Sequence, residues 1–322
     1  MKSRILITGG SGFIGTNLIE DLLREDQSCV LNLDHHAPLN TAHSRFWKPG
    51  DITDLANVVE AFASFAPTHV VHLAARTDLA ETSQLQGYSS NITGTEYVLR
   101  AIASTPSVTR AIFTSSMLVC RLGYTPESDE DYAPDSLYGE SKVAAEKLIR
   151  ASALNCSWAI IRPTTIWGPW HLRMKNEFFK VLKKGYYFHP GGRSCIRSYG
   201  YVGNVVHQIK ALLSAPDEQI HRKTFYVGDA PISLGDFVNG FSLRLCKKGV
   251  RTLPLSLFRW LGRTGDLAIK LGWKNPPLNS YRLSNMTADN IVDMSATLKL
   301  CGSGPFSLSQ GIERTAQWLE QQ

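Results

Sequence analysis

No two of the six cysteines form a C-x-x-C pair; Cys29, Cys120, Cys156, Cys195, Cys246 and Cys301 are scattered along 322 residues. That spacing argues against a zinc ribbon or a disulfide framework and suits a reducing compartment. No metal site is expected. Long apolar runs are missing too. Met1-Lys2-Ser3-Arg4 resembles the start of a leader, but the apolar stretch behind it stops at Thr8-Gly9, and no segment has the length to cross a bilayer. The chain also lacks extended charge blocks. Its net charge of +6 reads as spread over the whole length, and runs such as Lys183-Lys184 and Lys247-Lys248 are too short for a nucleic-acid groove. Repeats and low-complexity tracts are absent. With 43% hydrophobic and 19% charged residues, the expectation is a folded cytoplasmic protein with no nucleic-acid partner and no membrane span.

What is present begins at once. Ile5-Leu6-Ile7-Thr8 is a short apolar strand that runs into Gly9-Gly10-Ser11-Gly12-Phe13-Ile14-Gly15. Two glycine patterns overlap there, Gly10-x-Gly12-x-x-Gly15 and Gly9-x-x-Gly12-x-x-Gly15. Either suits a dinucleotide: one glycine for the tight turn, one for close approach of a pyrophosphate, one for packing of the next helix. That helix follows, with Phe13, Ile14, Leu18, Leu22 and Leu23 at helical spacing, and its N-terminus offers free N–H groups to an anion. A second strand, Val30 to Leu33, ends in Asp34, roughly 20 positions beyond the glycines, where an acid meets the adenosine ribose.

The strand–helix rhythm continues. Strands are expected at His69 to Ala75, Arg110 to Ser116 and Trp158 to Arg162, and helices from about Leu85 to Ser104 and Tyr138 to Ala153. Such alternation predicts an α/β fold, a doubly wound parallel (Rossmann) sheet with right-handed crossovers. After Arg162-Pro163 the rhythm fails and proline, glycine and aromatics thicken. The expected division is a dinucleotide-binding domain over 1–165 and a smaller C-terminal substrate-binding cap over 166–322, with 196–230 returning to the sheet.

Ligands of such a sheet sit beyond the carboxyl ends of its strands. Thr114-Ser115-Ser116 ends one strand, and Tyr138 and Lys142 open the next helix, on one face by their i, i+4 spacing. A tyrosine with its pKa near ~10 is a poor base at neutral pH. A neighbouring ammonium and the positive ring of an oxidised nicotinamide would both favour its phenolate. A serine hydroxyl can share a hydrogen bond with the substrate oxygen whose proton the tyrosine takes.

Together these motifs resemble the extended short-chain dehydrogenases/reductases of the nucleotide-sugar epimerase and dehydratase type, over nearly the whole chain. Thr8 to Gly15 matches the family's TGGxGFIG, Asp34 its ribose acid and Asp51-Ile52 the pair that meets adenine. His72-Leu73-Ala74-Ala75, Asn91-x-x-Gly94-Thr95, Ser115-Ser116, Tyr138-Gly139-x-Ser141-Lys142 and Arg162-Pro163 through Trp167-Gly168-Pro169 match further motifs, Trp167 replacing a tyrosine. The resemblance implies NAD as cofactor, held by Gly9, Gly12, Phe13, Ile14, Gly15, Asp34, Asp51, Ile52, Leu73, Ala74, Ala75, Asn91, Tyr138, Lys142 and Pro163. It implies Tyr138 as acid/base, Lys142 as its pKa tuner and ribose anchor, and Ser116 as third catalytic member, with Ser115 the fallback. Arg197, in the segment after Gly191-Gly192-Arg193, matches an arginine that grips a diphosphate; Arg282, Arg76 and Thr165 complete the implied substrate site. A homodimer built on the two long helices is implied as well, with Val98, Leu99, Ile102, Val143, Ala144 and Leu148 as its apolar contacts.

Departures narrow the reaction. Where sugar dehydratases carry an Asp-Glu pair, this chain has Met117-Leu118, which transfer no protons. Asp34 opposes a 2′-phosphate, against a dedicated NADPH reductase. Epimerisation of a nucleotide-diphosphate sugar on a retained NAD is the expected activity, with a nucleotide-sugar keto-reductase as one alternative. Another is set by Tyr201-Val202-Gly203-Asn204 and Phe225-Tyr226-Val227-Gly228-Asp229, which resemble the 3β-hydroxysteroid dehydrogenase relatives. These would oxidise an apolar alcohol.

Overall fold

The computed structural model describes residues 2–25, 28–79, 84–192, 194–273 and 276–321. A seven-stranded parallel sheet lies at its centre. In chain order its strands and helices are β1 (Ser3–Thr8), α1 (Phe13–Glu25), β2 (Ser28–Asp34), β3 (Trp47–Pro49), α2 (Leu55–Phe65), β4 (His69–His72), α3 (Ser89–Ala103), β5 (Arg110–Thr114), α4 (Leu137–Ala151), β6 (Ser157–Pro163), α5 (Val202–Ser214) and β7 (Lys223–Val227). The spatial order is β7-β6-β5-β4-β1-β2-β3. The order reverses between β4 and β1, and a crevice for ligand opens at such a switch point.

Side chains alternate across the sheet, so both faces are buried. Ile5, Ile7, Val71, Ile112 and Ile161 pack toward α1 and α5. Leu6, Val70, Phe113, Trp158 and Ile160 pack toward α2, α3 and α4. β7 pairs with β6 from Lys223↔Ala159 to Val227↔Pro163, so the chain re-enters the sheet after leaving it at Pro163.

The expected strand from Arg110 and helix from Tyr138 each end two residues early, at Thr114 and Ala151, and two further elements come out shorter for visible reasons. The strand from His69 ends at His72, because the next residues turn to meet the glycine loop: a Cβ on Gly9 would lie 2.5 Å from Ala74 N. The helix expected from Leu85 is a single 3-10 turn to Tyr88, and α3 starts at Ser89. Tyr88 is buried and donates its hydroxyl to Asp78 O at 2.8 Å, while Gly87 O accepts from Arg76 at 2.7 Å. Those contacts hold the turn out of line with the helix.

The C-terminal part outside the sheet, called the cap, carries α6 (Leu234–Cys246), α7 (Leu255–Lys270), α8 (Ser280–Thr287) and, last, α9 (Leu308–Glu320). Its core is aromatic. Trp167 is 1% exposed, with Tyr201, Phe237 and Phe241 rings 5.0, 5.2 and 5.5 Å away. Trp167 is thus a packing residue between the sheet and the cap.

Candidate active site

The glycine loop is shaped for a ligand's backbone approach. Gly9 has φ +74°, a left-handed conformation that favours glycine. At Gly12 an added Cβ would meet only Gly9 O, at 3.3 Å, so protein packing does not require this glycine and the space outside it is open. Asp34 closes the loop's far side. Its carboxylate accepts from Ser11 N at 3.0 Å and His36 N at 2.9 Å, and it is only 8% exposed. Asp51 is exposed and accepts from Thr53 N and Thr53 Oγ1, both at 2.8 Å; those bonds, the backbone one foremost, hold its carboxyl below the usual range. Ile52 is buried against Gly94, where a Cβ would come within 2.4 Å of it.

Beneath the loop, His72 bridges Thr8 Oγ1 at 2.6 Å and Thr95 Oγ1 at 3.1 Å. Burial, helped by Lys142, lowers its pKa to about 3, so the ring is neutral and structural.

Ser116, Tyr138 and Lys142 come together at the carboxyl edge of β5. Ser136 caps α4, accepting from Gly139 N, and so sets Tyr138 and Lys142 in its first turns. Tyr138 is 7% exposed and Lys142 4%. Burial pushes the Tyr138 phenol up to about 12, opposed by its hydrogen bond with Ser116. Burial brings Lys142 down to about 8, opposed by Glu146. Lys142 Nζ donates to Thr114 O at 2.9 Å, and in the protein alone burial governs the Tyr138 phenol. The two serines now separate. Ser116 is the one bonded to Tyr138, whereas Ser115 Oγ and Thr114 Oγ1 are buried without a partner among the described residues. Such orphaned hydroxyls at the carboxyl edge of the sheet fit a bound polar ligand.

Other expected site residues are engaged elsewhere. Asn91 is 1% exposed; its amide donates to Arg76 O at 3.0 Å and Ser141 Oγ at 2.8 Å, and its oxygen accepts from Arg76 N at 2.8 Å. Ser141 passes the link to Tyr138 O at 2.7 Å, so Asn91 positions the helix start that carries Tyr138. Arg76 forks onto Asp78 at 2.8 and 3.1 Å. Leu73, Ala74, Ala75 and Pro163 are half-buried along the crevice edge, as are Phe13 and Ile14 beside the glycine loop, and Gly15 is buried against Gly10.

In the cap, Arg197 is 7% exposed and donates to Ala288 O at 3.1 Å; among the described residues its remaining guanidinium nitrogens have no partner. Thr165 lies close by, its N–H directed at Ser198 O. Arg282 is exposed and turns back to Pro277 O at 3.1 Å. Arg193 lies outside the described residues.

One cluster escaped the sequence reading. Arg162 and Glu146, both fully buried, form a two-point ion pair at 2.9 and 2.8 Å, with Tyr132 donating to Glu146 at 3.0 Å. The pair lies directly behind Lys142, one helical turn away, and no motif marks Glu146.

Known proteins are similar to this chain along nearly its full length. An N-acetyl-alpha-D-glucosaminyl-diphospho-ditrans,octacis-undecaprenol 4-epimerase of Escherichia coli O157:H7 is 29% identical, covering 99% of this chain and 96% of that protein. A 3 beta-hydroxysteroid dehydrogenase/Delta 5-->4-isomerase of Mycobacterium tuberculosis is 28% identical, covering 95% and 87%. The fold is that of the UDP-glucuronic acid 4-epimerase from Bacillus cereus, solved with UDP-glucuronic acid and NAD: TM-score 0.76 and 21% identity over 99% of each chain. Residues 5–228 match the model of the NAD dependent epimerase/dehydratase family, and the chain belongs to that family.

Proposed function

We propose that this protein is an NAD-dependent epimerase of a nucleotide-diphosphate sugar, oxidising a ring hydroxyl to a ketone and re-reducing it from the opposite face. The observation that carries this reading is the buried Ser116–Tyr138–Lys142 cluster at the carboxyl edge of the same sheet as the glycine loop, flanked by Met117 and Leu118 where proton transfer for dehydration would need acids. When bound, NAD takes up and returns the hydride, and its oxidised ring adds positive charge that favours the Tyr138 phenolate. Gly9, Gly12, Phe13, Ile14 and Gly15 hold the pyrophosphate at the start of α1, Asp34 the adenosine ribose, and Asp51 and Ile52 the adenine. Leu73, Ala74, Ala75 and Pro163 bound the nicotinamide side. Tyr138 takes the hydroxyl proton and later returns it, Ser116 orients that oxygen, and Lys142 anchors the second ribose. Arg197, with Thr165, meets the diphosphate; its planar fork suits two phosphate oxygens.

The test is where the hydride goes. With UDP-hexoses, product should form while no reduced cofactor accumulates and none need be added. Arg197→Ala should weaken substrate binding about tenfold or more, since a charge-assisted contact is worth ~1.5–3 kcal/mol. Stoichiometric NADH with unchanged affinity in Arg197→Ala would instead support the second reading, an NAD-dependent hydroxysteroid-type dehydrogenase. That reading is favoured by the mycobacterial relative and by Arg282 being turned to its own loop.

Cofactor choice gives another expected result. NAD should bind more tightly than NADP, because the Asp34 carboxylate accepts ribose hydroxyls and repels a 2′-phosphate. Asp34→Ala should weaken NAD about tenfold and narrow the gap, measured by calorimetric titration; equal affinities in the unmodified protein would overturn the assignment.

A cytoplasmic homodimer built on α3 and α4 belongs to the same proposal. Its contact surface needs revision: Val98, Leu99, Ile102 and Val143 are buried within the chain and Leu148 is half-buried against the same core, leaving the half-buried Ala144 as the remaining candidate contact. The four buried side chains are drawn into the protein's own core instead.

A further inference from the structure

Half of the exposed large apolar side chains lie in one short stretch of the cap. Of sixteen among the described residues, eight fall between positions 257 and 281. They include Trp260 at 62% and Trp273 at 57% exposure, whereas Trp158, Trp167 and Trp318 are buried. A concentration of exposed apolar side chains of this kind points to an interaction site.

The helix α7 arranges these residues by chemistry. At about 100° per residue, Leu257, Trp260, Leu261 and Leu267 occupy one arc of roughly 120°, and Arg259, Arg263 and Lys270 fill an adjoining arc of roughly 40°. The third side is the buried seam of Phe258, Gly262 and Gly265. A Cβ at Gly265 would lie 1.8 Å from Leu278 O, so the helix is seated on its glycines and the apolar arc faces outward.

Charge is concentrated here as well. Residues 247–270 hold six basic side chains against one acid, Asp266, a local +5 within a chain of net +6, so the excess is not evenly spread as the sequence reading had it. Asp266 is already occupied, accepting from Ser280 N at 3.0 Å. Arg259 and Arg263 have no protein partner among the described residues and line a cavity with Ser280, Ser284 and Thr287 hydroxyls. Two like charges one turn apart repel, and an anion between them would relieve that.

We propose that α7 is an interfacial helix that docks the cap on an anionic lipid bilayer, its apolar arc in the acyl boundary and Arg259 and Arg263 on lipid phosphates. Tryptophans beside cations on an amphipathic helix suit the headgroup level, where an indole is half in water. A second copy fits poorly, because twofold pairing of this face would bring the cationic arcs of the two copies close together. No described helix is long and apolar enough to cross a membrane, so the attachment is from one side. The inference goes beyond the epimerase reading and does not depend on it.

The test uses the full chain with vesicles of phosphatidylcholine alone or mixed with phosphatidylserine, read by co-sedimentation. Binding to the mixed vesicles should be about tenfold tighter or more, and should weaken with salt. Trp260→Ser combined with Leu267→Ser should reduce binding to both vesicle types at least about tenfold. Arg263→Glu should remove the preference for phosphatidylserine. All three positions are exposed, so each variant should keep the parent's thermal midpoint. The proposal is overturned if the parent binds neither vesicle, if it binds both equally, or if folded variants bind as the parent does. A change of sedimentation coefficient in the variants without vesicles would also overturn it, by assigning the face to a second copy.

Discussion

Tyr138→Phe is expected to cut turnover at least about a hundredfold, the size of a general acid–base step, while cofactor affinity stays within about twofold, since one hydroxyl is lost and no charge. The phenol is buried, and its hydroxyl bonds Ser116 at the mouth of the crevice. Removing it leaves the Ser116 hydroxyl in place, still accepting from Leu118 N at 3.1 Å, so the local fold has its own support. The structural cost should be about 1 kcal/mol, that of one ordinary hydrogen bond. The pH profile adds a second readout. With the phenol held near 12 by burial in the protein alone, the phenolate is scarce at neutral pH, so the parent's rate should rise with pH as Tyr138 loses its proton. Tyr138→Phe should lose that limb. Residual turnover above a few per cent, with the limb intact, would assign the acid/base role to another group.

The parts of this site that were legible in the sequence are those whose chemistry is local. Ile5 to Gly15 and Asp34 could be read because strand, turn, helix and acid follow one another in a fixed order, and Gly9 and Gly15 answer backbone requirements close by. Tyr138 and Lys142 could be read because a helix places i and i+4 together. What stayed hidden depends on partners far apart in the chain. Asn91 and Ser141 are 50 positions apart, and only the packing of α3 on α4 shows that Asn91's amide serves the protein. Arg76 matched a substrate position until Asp78, two residues on, was seen to take its guanidinium. Val98 and Ile102 carried no mark distinguishing a core face from a contact face, because burial is decided by what packs on the helix. The depth of burial that raises the Tyr138 phenol in the protein alone stayed hidden for a similar reason, whereas the nearby ammonium could be read from spacing.

Glu146→Ala should be the most destabilising single change near the site, lowering stability by about 3–5 kcal/mol, as when one partner of a buried ion pair is removed. Arg162 is fully buried and directs Nε and Nη2 at the two carboxylate oxygens. Its Nη1 reaches the Tyr226 hydroxyl at 3.3 Å, and the Tyr132 and Tyr226 rings each lie 5.5 Å from its guanidinium carbon. The pair therefore ties α4 to β6, with Tyr226 of β7 on one side and the 129–132 loop on the other. Without Glu146 the guanidinium would remain buried with no opposing charge. A urea titration measures the loss, as a lower midpoint with little change in slope. Glu146→Gln tests the charge apart from the shape: it keeps one acceptor oxygen and should recover part of the stability. It should also reach the active site, because Glu146 opposes the burial that lowers Lys142. With that charge gone, Lys142 should lose its proton below its parent pKa of about 8. If Lys142 must stay charged to hold the ribose, NAD affinity in Glu146→Gln should fall at a lower pH than in the parent. Unchanged stability in Glu146→Ala would show that water reaches and solvates Arg162, and an unshifted affinity profile in Glu146→Gln would separate the ion pair from the site.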